Sequence, residues 1–373
     1  MGITEILFVS TVVIGFYMAW NIGANDVANA MGTSVGSGSL TLKQAVIIAA
    51  VLEFSGAFFA GSSVTNTMKK GIVDPALYAD VPMVFVFGML AALLASAVWL
   101  QIATYFKLPV STTHSIVGAI VGFAVISMGF DAVNWIKIAK ISSSWIISPL
   151  LGGLIAFLVF EVIKRSVLNV KNPILASRRL APIFVFFVFF IFTLVMLFKG
   201  LKNINLDFSL TESLIIAVVI GLVTGIISYF IVSKFLYKSS HKRKKMTTDQ
   251  RMLEVEKIFT VLQIISAGFV AFAHGSNDVA NAIGPMAGIF SVLETNSTTN
   301  ILDDVPIWLL GLGGAGIVIG LSTWGWRVME TIGNNITELT PTRGFSAELG
   351  AATTIVLASK LGIPISTTHT LVG

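Results

Sequence analysis

The chain has 373 residues, of which 55% are hydrophobic and only 12% charged, and its mean hydropathy is +0.88. Soluble domains carry about 25% charged residues, so this composition leaves too little polar surface for a globule in water. The net charge of +5 is gathered in short segments between apolar stretches, which bears on membrane orientation rather than on nucleic acid, and the absence of cysteine excludes a disulfide framework or thiolate metal site.

In chain order, the first apolar stretch, about 3–37, lacks a basic leader and cleavage site and runs directly into Asn21–Asp26. It reads as a retained membrane helix, broken at Gly23. Candidate crossings follow at about 44–62, 81–106, 110–130 and 144–163, with 110–130 readable instead as a re-entrant hairpin. Lys164–Arg179 then carries five basic residues and no acid. Two linking spans, Leu180–Phe198 and Ser213–Ser233, lead to Lys238–Lys257, with seven basic residues against three acids. Short basic loops stay on the cytoplasmic side, and two spans return the chain to the same face. Both loops are therefore expected to be cytoplasmic, and counting five crossings backwards puts the N-terminus outside. Further spans lie at Ile258–Asn277 and Val305–Trp326.

Internal duplication is the dominant pattern. Gly23-Ala24-Asn25-Asp26-Val27-Ala28-Asn29-Ala30 recurs as Gly275-Ser276-Asn277-Asp278-Val279-Ala280-Asn281-Ala282. Pro109-Val110-Ser111-Thr112-Thr113-His114 recurs as Pro364-Ile365-Ser366-Thr367-Thr368-His369, 86 residues after Gly23 and 89 after Gly275 respectively. The expected architecture is all-α and polytopic: a first repeat at 1–163, linking spans and basic loops at 164–257, and a second repeat at 258–373. Seven crossings between the copies would invert the second, and inverted repeats bind substrate near the bilayer midplane. The first copy continues past Gly118 while the second stops at the matching Gly373, so the final spans are expected to be missing from this chain.

Carboxylates in membrane spans are costly and by default functional. Interhelical bonding accounts for a lone Asn, Ser or Thr, but poorly for an Asp set between two Asn twice over. Asn25, Asp26, Asn29, Asn277, Asp278 and Asn281, with carbonyls of a helix unwound at each glycine, suit a hard cation such as sodium. The Pro-interrupted Ser-Thr-Thr segments suit half-helices whose N-termini and hydroxyls receive an oxyanion. No Lys or Arg falls inside a span carrying these motifs. A bound anion would lack a counter-charge, so cation and anion should enter together; protons on the two Asp would serve as well as sodium. Glu53 and Glu348 either assist cation access or bond a neighbouring helix, and His114 and His369 read as structural.

At these motif pairs the sequence resembles the inorganic phosphate transporter (PiT) family, as do the flanking Gly32–Gly38, Glu53 and Arg343–Glu348. The resemblance covers roughly 3–163 and 258–373, around a short central region. It implies a plasma (inner) membrane symporter, not an enzyme and without organic cofactor, that imports inorganic phosphate with a cation by alternating access. Sodium or proton coupling, and arsenate or metal–phosphate as substrates, vary within the family. On this reading phosphate falls to Gly23, Asn25, Ser111, Thr112, Thr113, Gly275, Ser276, Asn277, Ser366, Thr367 and Thr368. Sodium falls to Asn21, Asp26, Asn29, Asp278 and Asn281. The partners are phosphate, sodium and the lipid bilayer, with a homo-oligomer left open. An intramembrane aspartyl protease using Asp26 and Asp278 would leave both Ser-Thr-Thr segments without a role, and a passive anion channel would show no concentrative uptake.

Overall fold

The computed structural model describes residues 2–197, 208–237, 246–301, 304–335 and 338–373. It is helical throughout, with no named β-strand among the described residues. The first half comprises α1 (Ile3–Gly36), α2 (Leu42–Ala60), the short α3 (Ser62–Asn66) with a π-turn at Thr67–Gly71, α4 (Pro82–Tyr105), α5 (Thr112–Met128) and α6 (Trp135–Ile163). Two linking helices follow, α7 (Pro173–Val195) and α8 (Leu210–Tyr237). The second half comprises α9 (Thr248–Thr295), α10 (Ile307–Thr323), α11 (Trp326–Asn335), α12 (Pro341–Lys360) and α13 (Thr367–Val372). Among the described residues seven helices are long and apolar enough to cross a membrane, and α10 with α11, bent by 67° at their junction, counts as an eighth if the pair is one span. Helix α5, at 17 residues, falls short of the ~20 that a full crossing needs.

The expected break in the first span is not there. Helix α1 runs through Gly23, and α9 runs through Gly275. Ala24 follows Gly23 and Ala273 stands two residues before Gly275, and one glycine in a helix costs only about 1 kcal/mol relative to alanine. What each glycine provides is close approach. A Cβ at Gly23 would strike the carbonyl of Ile317 on α10, and one at Gly275 would strike that of Glu53 on α2. Backbone oxygens pressed against these positions leave no room for side chains. The glycine carbonyls are therefore part of packed helices, not ligands freed by unwinding.

Helices α1 and α9 pack antiparallel at the centre. Phe8 meets Phe290 at 4.8 Å between ring centroids, Asp26 lies beside Asp278, and Ser37 bonds Gln263 at 2.7 Å. Ala24, Ala28 and Ala30 on α1 and Ala271, Ala273 and Ala280 on α9 are all buried, small residues of the kind that let membrane helices approach closely.

The half-helices are present as expected. Pro109 disfavours helix at the residue before it, and the chain from Leu108 to Ser111 is non-helical until Ser111 caps α5 by accepting the His114 N–H at 3.2 Å. Ser366 caps α13 in the same way, at 3.1 Å from the His369 nitrogen. Upstream, α4 and α12 both end on a left-handed residue, Lys107 at φ 60° and Gly362 at φ 65°. Each of these turns is held by a threonine from the other half: Thr331 donates to the Lys107 carbonyl at 3.1 Å, and Thr67 to that of Gly362 at 2.8 Å.

The basic segments are partly structured. Lys164 and Arg165 pair with Glu161 at 3.8 and 2.6 Å, and Arg178 and Arg179 belong to α7. Of the second basic segment, 238–245 lies outside the described residues, and α9 begins at Thr248.

Candidate functional site

The two motif pairs converge where α1 crosses α9. Asp26 and Asn29 lie on one face of α1, three residues apart, and Asp278 and Asn281 repeat this on α9. Thr112 donates to Asp26 Oδ2 at 2.7 Å, and Thr367 donates to Asp278 Oδ2 at 2.8 Å. These bonds join the two motifs within each half.

A second set crosses between the halves. Asn29 Nδ2 donates to Thr368 Oγ1 at 2.8 Å, while Asn281 Nδ2 lies 3.2 Å from Thr113 Oγ1. Thr113 donates to the Ile365 carbonyl at 2.9 Å, and Thr368 lies 3.3 Å from that of Val110. Each contact in one half therefore has its counterpart in the other. Asn25 clasps the turn before its own half-helix, donating to the Leu108 carbonyl at 3.0 Å and accepting from the Val110 N–H at 3.1 Å. Asn277 reaches the Ile365 carbonyl at 3.4 Å and donates to its neighbour Asp278 at 2.6 Å.

The cluster is closed to solvent. Asp26 and Asp278 are 0% exposed, and Asn29, Asn281, Thr112, Thr113, Thr367 and Thr368 are all buried. Asn29 Oδ1 is buried without a hydrogen-bond partner. Such an atom costs about 1–3 kcal/mol unless something occupies its lone pairs. The oxygen-rich donor set fits sodium as cargo.

Four expected site residues are placed elsewhere. Asn21 is buried but donates to its own helix, to the Tyr17 carbonyl at 2.9 Å, and nothing links it to the cluster. Ser276 bonds the Ala273 carbonyl at 2.7 Å, a local helix contact. Gly23 and Gly275 serve the helix crossings described above.

Both buried glutamates prove to be interhelical. Glu348 on α12 accepts from Thr33 and Ser34 of α1, each at 2.7 Å, and from Gln263 and Ser266 of α9. Glu53 on α2 faces His274 of α9, its Oε2 lying 3.3 Å from Nδ1. The opposite ring nitrogen, Nε2, is 3.0 Å from Asp278 Oδ2. Sequence reasoning missed His274 altogether. A signal existed: it stands one helical turn before Asp278, where the first copy has Ile22. His114 and His369, read as structural, pack against each other at 4.7 Å between ring centroids, with Trp145 against His114. Lys69, outside every span foreseen from sequence, is 1% exposed beside Gly288. That is ten residues, about 15 Å of helix, from Asp278, so the cluster still lacks a lysine or arginine.

The profile of the phosphate transporter family matches residues 22–373. A putative phosphate permease of Pyrococcus horikoshii is 47% identical over 363 residues, covering 97% of this chain and 86% of that protein. Inorganic phosphate transporter 2-1, chloroplastic, of Arabidopsis thaliana is 47% identical over 389 residues, covering 99% of this chain and 65% of its own length. A solved structure described as the sodium-dependent phosphate transporter aligns with a TM-score of 0.88 at 41% identity, over 98% of this chain and 87% of its own.

Proposed function

The chain belongs to the phosphate transporter family, and from that premise we propose that this multi-pass membrane protein imports inorganic phosphate together with sodium by alternating access. The observation that carries the reading is the exchange of contacts between the halves. Each Asp binds a threonine of its own half, while each Asn of the cluster reaches a threonine of the other.

The motif helices run antiparallel, which favours two repeats of opposite orientation around a two-fold axis in the membrane plane. Phosphate would lie between Ser111–Thr113 and Ser366–Thr368, with Asn25 and Asn277 holding the turns that present them. Sodium would bind at Asp26 with Asn29 and at Asp278 with Asn281. The basic segments around 164–179 and 238–257 would face the cytoplasm of a plasma (inner) membrane, with the N-terminus outside.

Electrostatics favours coupling to a cation. An unneutralised carboxylate ~5 Å from a bound anion costs about 3 kcal/mol at an effective dielectric constant of ~20. Two of them cost about 6 kcal/mol, roughly 10⁴-fold in affinity. Nothing cationic on a Lys or Arg offsets this in the cluster, so phosphate binding waits for cations. The closed, fully buried cluster suits the occluded intermediate that alternating access requires.

The test is uptake of radiolabelled phosphate into proteoliposomes. Uptake is expected to need an inward sodium gradient. Equal uptake in sodium-free vesicles under a proton gradient would overturn sodium coupling. Equilibration without accumulation would instead indicate a channel.

A further inference from the structure

The two halves are not chemically equal around their aspartates. Gly23 packs on the Ile317 carbonyl as Gly275 packs on that of Glu53. The reverse contacts agree: a Cβ at Gly320 would strike the Trp20 carbonyl, and one at Gly56 that of Phe272. Ile317 is therefore the counterpart of Glu53, and Ile22 that of His274. Asp26 has two isoleucines where Asp278 has an imidazole and a carboxylate.

Asp26, His274 and Asp278 each offer a ligand atom, all within 4.8 Å of one another and all buried. Ligands of a tetrahedral ion held at about 2.1 Å lie ~3.4 Å apart, so closing around one ion would draw the widest of these separations in by ~1.4 Å at most. Both ring nitrogens of His274 are buried without a hydrogen-bond partner, although carboxylates flank them at 3.0 and 3.3 Å. A neutral imidazole ligates through one nitrogen while its other N–H points at a carboxylate, an arrangement that fixes the ring of metal-bound histidines. With Nε2 toward Asp278 and Nδ1 toward Glu53, His274 is oriented for that role. Imidazole nitrogen favours zinc, cobalt and related ions over sodium, which prefers oxygen.

We infer that Asp26, His274 and Asp278, with Glu53 supporting the imidazole, form a binding site for a divalent transition-metal ion. Among the described residues the site exists once, because the isoleucines opposite cannot reproduce it. It competes with sodium for the two aspartates. This inference rests on the reading of the aspartates as cation ligands, but not on sodium as the driving ion.

The experiment titrates Co²⁺ into the purified, chelator-stripped chain in sodium-free detergent, reading the visible absorption of imidazole-ligated cobalt, with Zn²⁺ as competitor. The expected result is one Co²⁺ per chain, displaced by Zn²⁺ and weakened by sodium. Glu53→Gln should weaken binding about 10–100-fold, as loss of a ligand's supporting carboxylate does, and His274→Gln should abolish the spectrum. Circular dichroism confirms that each variant is folded. A His114→Gln/His369→Gln variant, lacking the other imidazole pair, should bind as the parent does. No spectrum from the parent, or one that survives His274→Gln, overturns the inference. Sodium-driven uptake by the same preparation is scored separately, so a null cobalt titration beside intact uptake removes this inference alone.

Discussion

The surroundings of Asp26 and Asp278 separate what the duplication kept from what it let diverge. Both carboxylates accept a threonine hydroxyl from their own half-helix, and both adjoin an Asn that reaches across to the other half. Behind Asp26, however, the helix crossing is lined by Ile22 and Ile317, and behind Asp278 by His274 and Glu53. The groups proposed to face phosphate are duplicated, whereas those behind the proposed cation sites are not. On the proposed mechanism, a symmetric anion meets like groups from both sides as the transporter opens first one way and then the other. Cation sites carry no such constraint.

The largest expected effects break both halves alike. Asp26→Asn and Asp278→Asn should each reduce sodium-driven phosphate uptake by at least 100-fold, since either leaves only one carboxylate for cations. The two should differ in sodium dependence, because His274 lies 3.0 Å from Asp278 while Ile22 stands at the matching place before Asp26. Near-parental uptake by either variant would remove that aspartate from the mechanism.

A smaller effect sharpens the asymmetry. Installing the first half's residues in the second, through His274→Ile and Glu53→Ile, forms a double-mutant cycle. His274→Ile leaves Glu53 buried and unpaired, Glu53→Ile leaves His274 with Asp278 as its one carboxylate partner, and breaking a buried pair costs about 3–5 kcal/mol. The double substitution replaces the pair by the packing already present at Ile22 and Ile317. Such replacements are often neutral or stabilising, so the double variant should melt higher than either single one. Additive losses in Tm would mean that His274 and Glu53 are not energetically coupled.

How far the sequence discloses this site depends on whether each role is local. The half-helices were legible because Pro109 and Pro364 act on the residues beside them, and Ser111 and Ser366 cap a helix three residues on. Asp26 and Asp278 were legible because a carboxylate in an apolar span needs a reason. Gly23 was misread because a glycine among polar residues serves equally as a break or as a crossing point. What decides is the Ile317 carbonyl, far along the chain. His274 was missed for the same reason, since its meaning comes from Glu53 on another helix. Glu53 and Glu348 read as similar acids, yet one faces an imidazole and the other sits among Thr33, Ser34, Gln263 and Ser266. Neither acid repeats in the other half.

The smallest expected effect tests whether the anion-facing groups are as symmetric as their contacts. Ser111 and Ser366 cap α5 and α13 at 3.2 and 3.1 Å, and loss of such a cap costs about 1 kcal/mol. Ser111→Ala and Ser366→Ala should each lower Tm by a few degrees and raise the phosphate KM about fivefold. Fraying a first turn moves the threonines that follow, Thr112 and Thr113 or Thr367 and Thr368, without removing them. If phosphate is held between the two segments, the KM shifts should match, because each half supplies the same hydroxyls at the same place in its helix. A KM shift confined to one variant would place phosphate on one half-helix alone. The exchange of hydrogen bonds between the halves would then serve to lock them together rather than to shape a shared anion site.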